Sequence, residues 1–214
     1  MKQPKVIFLD AVGTLFGVKG SVGKAYAEIA GQFGVEVSDE ALNTAFIKSF
    51  VAAPPPIFPG VQIDDIPNYE FEWWQGVALE TFQQVGAVNQ FKDFSKFFEQ
   101  LYDHFSTAKP WLLYEDVIPT LERWQKRKIE LGIISNFDSR LYLVLESLHL
   151  IDFFTSITIS TEVSTAKPSQ KIFTDSLDKH DCQAKDAWHI GDSFQEDYQG
   201  ASAAGLKAIL IKRN

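Results

Sequence analysis

Five short apolar runs, rich in β-branched residues, constrain the fold of this chain more than any other feature. They are nearly continuous in hydrophobic character instead of alternating with polar residues, as is typical of strands that helices cover on both faces. Helical patterns with room for a crossover separate the later runs, so the chain is predicted to form an α/β fold on a parallel sheet. The runs span residues 5–9, 129–134, 156–160, 187–190 and 207–211, and the helical patterns span residues 116–127, 139–148, 169–179 and 195–204.

A second helical region, residues 17–108, lies between the first strand and the second, where no simple crossover needs so much chain. Apolar residues recur there at the three-and-four spacing of amphipathic helices, which predicts an inserted α-helical bundle. Four prolines exclude a helix from residues 52–60, so this segment is predicted to link two of the helices. Trp73 and Trp74 are expected to pack within the bundle. The predicted helices span residues 21–33, 38–51, 67–85 and 91–105, with Ser21 and Ser38 as N-caps.

The balance of charge narrows the classes of partner. The 214 residues include 20 Lys and Arg against 28 Asp and Glu, a net charge of −8. That balance does not suit the backbone of a nucleic acid or an anionic membrane. Residues 17–108 hold most of the excess, with twelve acidic side chains, five basic ones and no arginine. A small-molecule partner is therefore expected, and the oligomeric state is left open.

Two further features bear on location. The apolar run near the amino terminus ends at Asp10, far short of the roughly 20 residues of a transmembrane helix. The single cysteine, Cys182, cannot form an internal disulfide, which fits a reducing compartment. We therefore expect a cytoplasmic protein with no membrane partner.

Polar side chains suited to anion and metal chemistry follow several predicted strands at their carboxyl ends. Asp10 follows the first strand, and Ser135 and Asn136 follow the second. Asp192 and Asp197 stand five residues apart after the fourth, where two carboxylates can converge on one hard cation. Because ligands of such sheets bind beyond the carboxyl ends of the strands, these residues predict a site there.

The order of these elements resembles the haloacid dehalogenase (HAD) superfamily. The matching motifs are Asp-x-x-Gly-Thr from Asp10, then Ser135-Asn136, then Lys167-Pro168, and finally Gly-Asp-Ser-x-x-x-Asp-x-x-Gly-Ala-x-x-Ala-Gly from Gly191 to Gly205. The resemblance covers the whole chain. It implies a Rossmann-like catalytic core of residues 1–16 and 109–214, with residues 17–108 as a helical cap of the C1 type.

The resemblance also implies roles in phosphoryl transfer. Asp10 would be the nucleophile that is transiently phosphorylated. Thr14, Ser135 and Lys167 would hold the phosphoryl oxygens and the Asp10 carboxylate, with Asn136 as a contact behind them.

The implied cofactor is Mg²⁺. Asp10 and Asp192 would bind it directly, and Asp197 would act through water or by holding the other ligands. The backbone carbonyl of Val12 would complete the protein's contribution.

Position 12 departs from the phosphatases of this superfamily. They have a second Asp there, which protonates the leaving alcohol and then deprotonates the hydrolytic water, whereas this chain has Val12. An alkyl side chain cannot exchange a proton, so a contribution of typically about 10²–10⁴-fold is absent unless another group supplies it. Three hypotheses remain: a Mg²⁺-dependent phosphatase of a small phosphomonoester, a binding or regulatory protein with little or no turnover, and a phosphonatase-like carbon–phosphorus hydrolase.

Other residues favour or disfavour particular activities. Dehalogenases also lack the second acid, but their fourth motif lacks the Gly-Asp metal site, so Asp192 argues against dehalogenation. Phosphonatases form a Schiff base on a cap lysine, for which Lys19, Lys24 and Lys48 are candidates, although solvated lysines are the simpler interpretation. His189, inside a predicted strand, is interpreted as a structural, hydrogen-bonded histidine rather than the missing acid. The acidic, arginine-free insert favours a monophosphate whose remaining body is neutral or apolar.

Overall fold

The computed structural model describes residues 3–213. Within this range the strands are β1 (Val6–Leu9), β2 (Phe16–Val18), β3 (Trp111–Leu113), β4 (Glu130–Ser135), β5 (Ser156–Ile159), β6 (Ala187–Gly191) and β7 (Lys207–Leu210). The α-helices are α1 (Val22–Gln32), α2 (Asp39–Ala52), α3 (Ile66–Gln84), α4 (Phe94–His104), α5 (Val117–Lys126), α6 (Leu141–Ser147), α7 (Gln170–Asp178) and α8 (Gly200–Ala203). A π-helical turn, Phe194–Gln199, leads into α8.

The central sheet has five parallel strands in the order β5-β4-β1-β6-β7. Each of the five predicted strands is present, and its ends lie within one residue of the predicted ones. The α/β fold with a parallel sheet is therefore confirmed. Since β1 lies between β4 and β6, the carboxyl ends of these three strands are neighbours.

Helices cover both faces of the sheet. Side chains alternate along β1, so Ile7 and Leu9 join the core beneath α5 and α6, whereas Val6 and Phe8 join the core beneath α7 and α8. The double burial explains why the strand is apolar throughout, and it leaves polar side chains room only at the strand ends.

Helices α1 to α4 form a bundle with its own core, and we refer to these four helices as the cap. Ser21 and Ser38 accept hydrogen bonds from the backbone N–H groups of Lys24 and Ala41, so both predicted N-caps are confirmed. The last cap helix begins at Phe94, later than predicted, because the Asp93 carboxylate caps it.

Both connections between cap and sheet pass through a two-stranded antiparallel ribbon. In this ribbon β2 pairs with β3, and Val18 lies opposite Trp111. These three-residue strands lack a hydrophobic pattern long enough to be predicted. No helix within residues 3–213 is both long enough and apolar enough to span a bilayer.

The final crossover differs from the single helix predicted for residues 195–204. Its first turn is π-helical, because the N–H groups of both Asp197 and Tyr198 approach the carbonyl of Ser193. The widened turn brings the Asp197 side chain over Gly191, where a Cβ atom would lie only 2.1 Å from the Asp197 Cγ. Such turns are frequent at functional sites.

Candidate active site

The site lies at the carboxyl ends of β1, β4 and β6. Asp10 follows β1, Ser135 ends β4, and Asp192 follows β6. The sheet order brings them together although up to 182 positions separate them in the sequence. The predicted convergence of these side chains is present in the structure.

Lys167 is the charged centre of the site. It is buried, and its Nζ lies 2.6 Å from Asp10 Oδ1 and 2.6 Å from Asp197 Oδ1. Burial alone lowers the pKa of Lys167, but the two carboxylates outweigh this effect and raise the pKa, so the ammonium stays charged. Ser135 Oγ adds a hydrogen bond to Asp10 Oδ1 at 3.3 Å.

Asn136 holds the backbone of Lys167 rather than its side chain. The Asn136 Oδ1 accepts from the Lys167 N–H at 2.8 Å, and its Nδ2 donates to the Lys167 carbonyl at 3.0 Å. This two-point contact fixes the loop after β4 against the loop from which the ammonium enters the site.

His189 contacts the same cluster from inside β6. Its Nε2 lies 2.9 Å from Asp197 Oδ1, while its Nδ1 has no hydrogen-bond partner among residues 3–213. A neutral ring with its proton on Nε2 satisfies this geometry. Burial raises the pKa of Asp197, but the hydrogen bond from His189 and the charge of Lys167 prevail and hold it well below its usual value. The structure confirms that His189 is hydrogen-bonded, through a contact with Asp197 that was not predicted. Its structural role, rather than that of the missing acid, stays a prediction.

Three carboxylates meet beside Lys167. Asp10, Asp192 and Asp197 each offer an oxygen atom, and these atoms all lie within 4.8 Å of one another. Burial raises the pKa of Asp10, and partial burial together with repulsion from the nearby Asp197 carboxylate raises the pKa of the more exposed Asp192. A set of oxygen donors with excess negative charge suits a hard divalent cation such as Mg²⁺.

Thr14 and Gly13 serve this cluster from the turn after β1. The buried Thr14 hydroxyl donates to Asp192 Oδ1 at 3.4 Å, so in this structure it holds a carboxylate. Gly13 has φ +88°, and a Cβ atom there would lie 2.4 Å from Asp192 Oδ2. The turn therefore requires glycine both for its backbone and for the close approach of Asp192.

A cavity of about 190 Å³ opens onto these groups. Val12 and Phe137 are the apolar residues that line it, and Asp10 lines it as well. Glu196 also lines the cavity, a position to which the motifs assign no role. The lining residues are Asp10, Val12, Ser135, Asn136, Phe137, Asp192, Ser193, Glu196 and Asp197.

The cap contacts the core next to this cavity through buried polar groups that sequence reasoning missed. Trp74 of α3 donates from Nε1 to Asp138 Oδ2 at 2.6 Å, rather than packing only within the bundle as expected. Glu70, one turn earlier on α3, is fully buried and accepts hydrogen bonds from Ser139 and Thr161 of the core. The sequence gives no sign that Glu70, one of twelve acidic residues in this region, is buried, because the residues that contact it are distant in sequence.

Comparisons with known proteins point to one family. A family model for haloacid dehalogenase-like hydrolases matches residues 4–205. The haloacid dehalogenase-like hydrolase domain-containing protein 3 of Bos taurus is 32% identical over 98% of this chain and 82% of its own length. A HAD phosphatase from Thermococcus onnurineus has a similar structure, with a TM-score of 0.64 at 22% identity over 98% of this chain and 87% of that one. A 2-haloacid dehalogenase from Pseudomonas syringae has a TM-score of 0.61 at 22% identity over 97% and 86%.

Proposed function

Since this chain belongs to the haloacid dehalogenase-like hydrolases, we propose that it is a Mg²⁺-dependent phosphatase that hydrolyses a small phosphomonoester through phosphorylated Asp10. The observation that carries the proposal is the meeting of Asp10, Asp192 and Asp197 around the Lys167 ammonium. A nucleophilic carboxylate needs nearby positive charge to approach an anionic phosphate ester.

The same cluster favours phosphate chemistry over halide chemistry. The fold itself accommodates both, as its structural neighbours indicate. Displacement of a halide from carbon needs no divalent cation. In a dehalogenase, the repulsion between three converging carboxylates would therefore have no divalent cation to offset it. They are useful where a cation joins a phosphate to the site.

The first chemical step belongs to Asp10. Its carboxylate oxygen attacks phosphorus, the ester P–O bond breaks, and the leaving alcohol takes the bond's electron pair. Lys167 and the Ser135 hydroxyl, both within 3.3 Å of Asp10 Oδ1, orient the nucleophile. Water then attacks the phosphoryl group, the P–O bond to Asp10 breaks and restores the carboxylate, and the protons of the water leave with inorganic phosphate. When bound, Mg²⁺ would neutralise negative charge on the phosphoryl oxygens and carboxylates.

Val12 restricts the leaving groups that this site can expel. The alcohol leaves with a negative charge that needs a proton, and the alkyl side chain at position 12 offers none. The proposal therefore favours phosphates whose leaving group is acidic or carries its own proton donor.

A carbon–phosphorus hydrolase is the weaker alternative. A Schiff-base lysine needs an unprotonated amine, which proteins obtain by burial or by a neighbouring cation. Lys19, Lys24 and Lys48 are all exposed, and Lys24 also lies 4.0 Å from Glu28. None of the three has the environment that this chemistry requires.

The direct test is hydrolysis of p-nitrophenyl phosphate with and without Mg²⁺. We expect Mg²⁺-dependent turnover that Asp10→Asn abolishes, while Asp64→Asn, a change at an exposed cap carboxylate, leaves turnover unchanged. Turnover of the wild-type protein no higher than that of Asp10→Asn would overturn the proposal and favour a binding or regulatory protein.

A further inference from the structure

Glu70 is an acidic side chain of the cap that is buried entirely against the core. Its Oε1 accepts from the backbone N–H of Ser139 at 3.0 Å and from the Thr161 hydroxyl, and its Oε2 accepts from the Ser139 hydroxyl. All three donors belong to the core. The carboxylate therefore gives up its hydrogen bonds to water and receives hydrogen bonds from donors that are available only when α3 is docked on the core.

The residues that Glu70 contacts belong to the loops that build the site. Ser139 follows the segment that begins with Ser135 and Asn136, and Thr161 follows Ser160 after β5. Ser160 ties these loops together, because its N–H donates to the Ser135 carbonyl at 3.0 Å and its hydroxyl to the Phe137 carbonyl at 3.3 Å. The chain of contacts then continues from Asn136 to Lys167 and from Lys167 to Asp10.

A second contact one helical turn along α3 clamps the same loop. Asp138 accepts from Trp74 Nε1 and forms a buried ion pair with Arg140, whose Nη2 lies 2.6 Å from Asp138 Oδ2. The Arg140 guanidinium stacks over the ring of Tyr102 on α4, 3.9 Å from its centre. Residues 138–140 are thus bound by two cap helices at once.

Removal of Glu70 leaves a costly arrangement behind. The Ser139 N–H and the two hydroxyls would face a site without an acceptor, and buried donors without partners are expensive. The free energy of the loop would then fall if the loop moved away from the position that holds Ser135 and Asn136 in place.

We propose that Glu70 is a positioning residue through which docking of the cap holds the loop of Ser135 and Asn136 in its catalytic arrangement. The phosphate site is thereby complete only when α3 lies on the core. As a statement about catalysis the inference rests on the proposed phosphatase activity, but its structural part does not.

The experiment compares Glu70→Gln with Glu72→Gln, a change of the same chemistry at an exposed position on the same helix. Glutamine keeps the shape but removes the negative charge, and its NH₂ group replaces the oxygen that accepts from the Ser139 hydroxyl. That hydroxyl would have to turn and accept instead, and the stronger hydrogen bonds to a charged carboxylate would be lost. We expect Glu70→Gln to lower kcat for p-nitrophenyl phosphate by at least about tenfold, the loss expected for hydrogen bonds to a charged group. KM should change much less, and Glu72→Gln should match the wild-type protein.

Hydrogen exchange of the Ser139 amide separates this inference from the proposed function, since it needs no turnover. We expect this amide to exchange at least about tenfold faster in Glu70→Gln, with β1 and β4 amides unchanged. Wild-type exchange at Ser139 would overturn the inference, as would a kcat loss explained by the unfolded fraction. If Glu70→Gln does not fold, Ser139→Ala, which removes one donor from the core side, takes its place with the same expected directions.

If the wild-type protein shows no turnover, the proposed function fails, and the exchange measurement still decides whether Glu70 holds the loop.

Discussion

Val12 lines the same cavity as Asp10 and has an alkyl side chain, which cannot donate a proton. Under the proposed function, a leaving alcohol would therefore need its proton from another group. A single substitution therefore isolates the proton-transfer contribution from the electrostatic one.

We predict that Val12→Asp raises kcat for an alkyl phosphate by about 10²-fold or more, the usual range for general acid catalysis. The gain should be far smaller for p-nitrophenyl phosphate, whose leaving group needs no proton. Parallel steady-state kinetics on both substrates test this, with Val12→Asn as the polar control that cannot exchange a proton. Equal gains on both substrates would contradict it.

Some of the residues at the site could be predicted from the sequence, and others could not. Asp10, Lys167, Asp192 and Asp197 could be assigned roles because each follows a motif whose spacing resembles a known superfamily, and the structure brings them together. Glu70 could not, because its burial depends on how α3 docks on loops 69 and 91 positions away.

The end of β6 and the turn that follows it together hold the Asp197 side chain in place. Gly191 has no side chain, so the π-helical turn can fold Asp197 back over it, and the Ser193 N–H then donates to Asp197 Oδ2 at 2.9 Å. Because His189 and Lys167 also bind this carboxylate, it has no free direction in which to move.

We predict that Gly191→Ala lowers the free energy of unfolding by about 1–3 kcal/mol, the usual cost of overpacking. It should also weaken the thermal stabilisation that we expect Mg²⁺ to provide, because the new Cβ displaces Asp197. The control is Gly76→Ala on α3, where a Cβ atom meets nothing within 4 Å. That change should add about 0.5–1 kcal/mol through helix propensity. Urea denaturation of both variants decides, and a neutral Gly191→Ala would refute the account.

The regular elements themselves were accessible to prediction to different degrees. The parallel strands could be located because burial on both faces makes them continuous apolar runs. The β2 and β3 ribbon could not, since three residues carry no period, and the π-helical turn could not, because its cause is the side chain it positions.

Charge is divided unequally over the molecule. The region between the first two core strands carries twelve acidic and five basic side chains without an arginine, whereas the rest of the chain has 16 acidic and 15 basic side chains, one of which, Lys167, is buried inside the site. We therefore expect the acidic region to repel a substrate with a second anionic group.

We predict that kcat/KM for a monophosphate with a neutral body exceeds that for the matching bisphosphate by at least about tenfold at low ionic strength. The ratio should shrink as salt screens the cap, because exposed charges interact weakly beyond about 8–10 Å at physiological ionic strength. Kinetics at several salt concentrations measure it, and a preference for the bisphosphate would rule out the electrostatic argument.

The ribbon of β2 and β3 has an evolutionary consequence. The chain leaves the core at Val18 and returns at Trp111, and these residues lie side by side across the ribbon. A segment whose two ends are neighbours can be gained, exchanged or lengthened by recombination with little disturbance to its host. The geometry therefore allows the helical segment to be replaced or lengthened without moving the strand ends that carry the site.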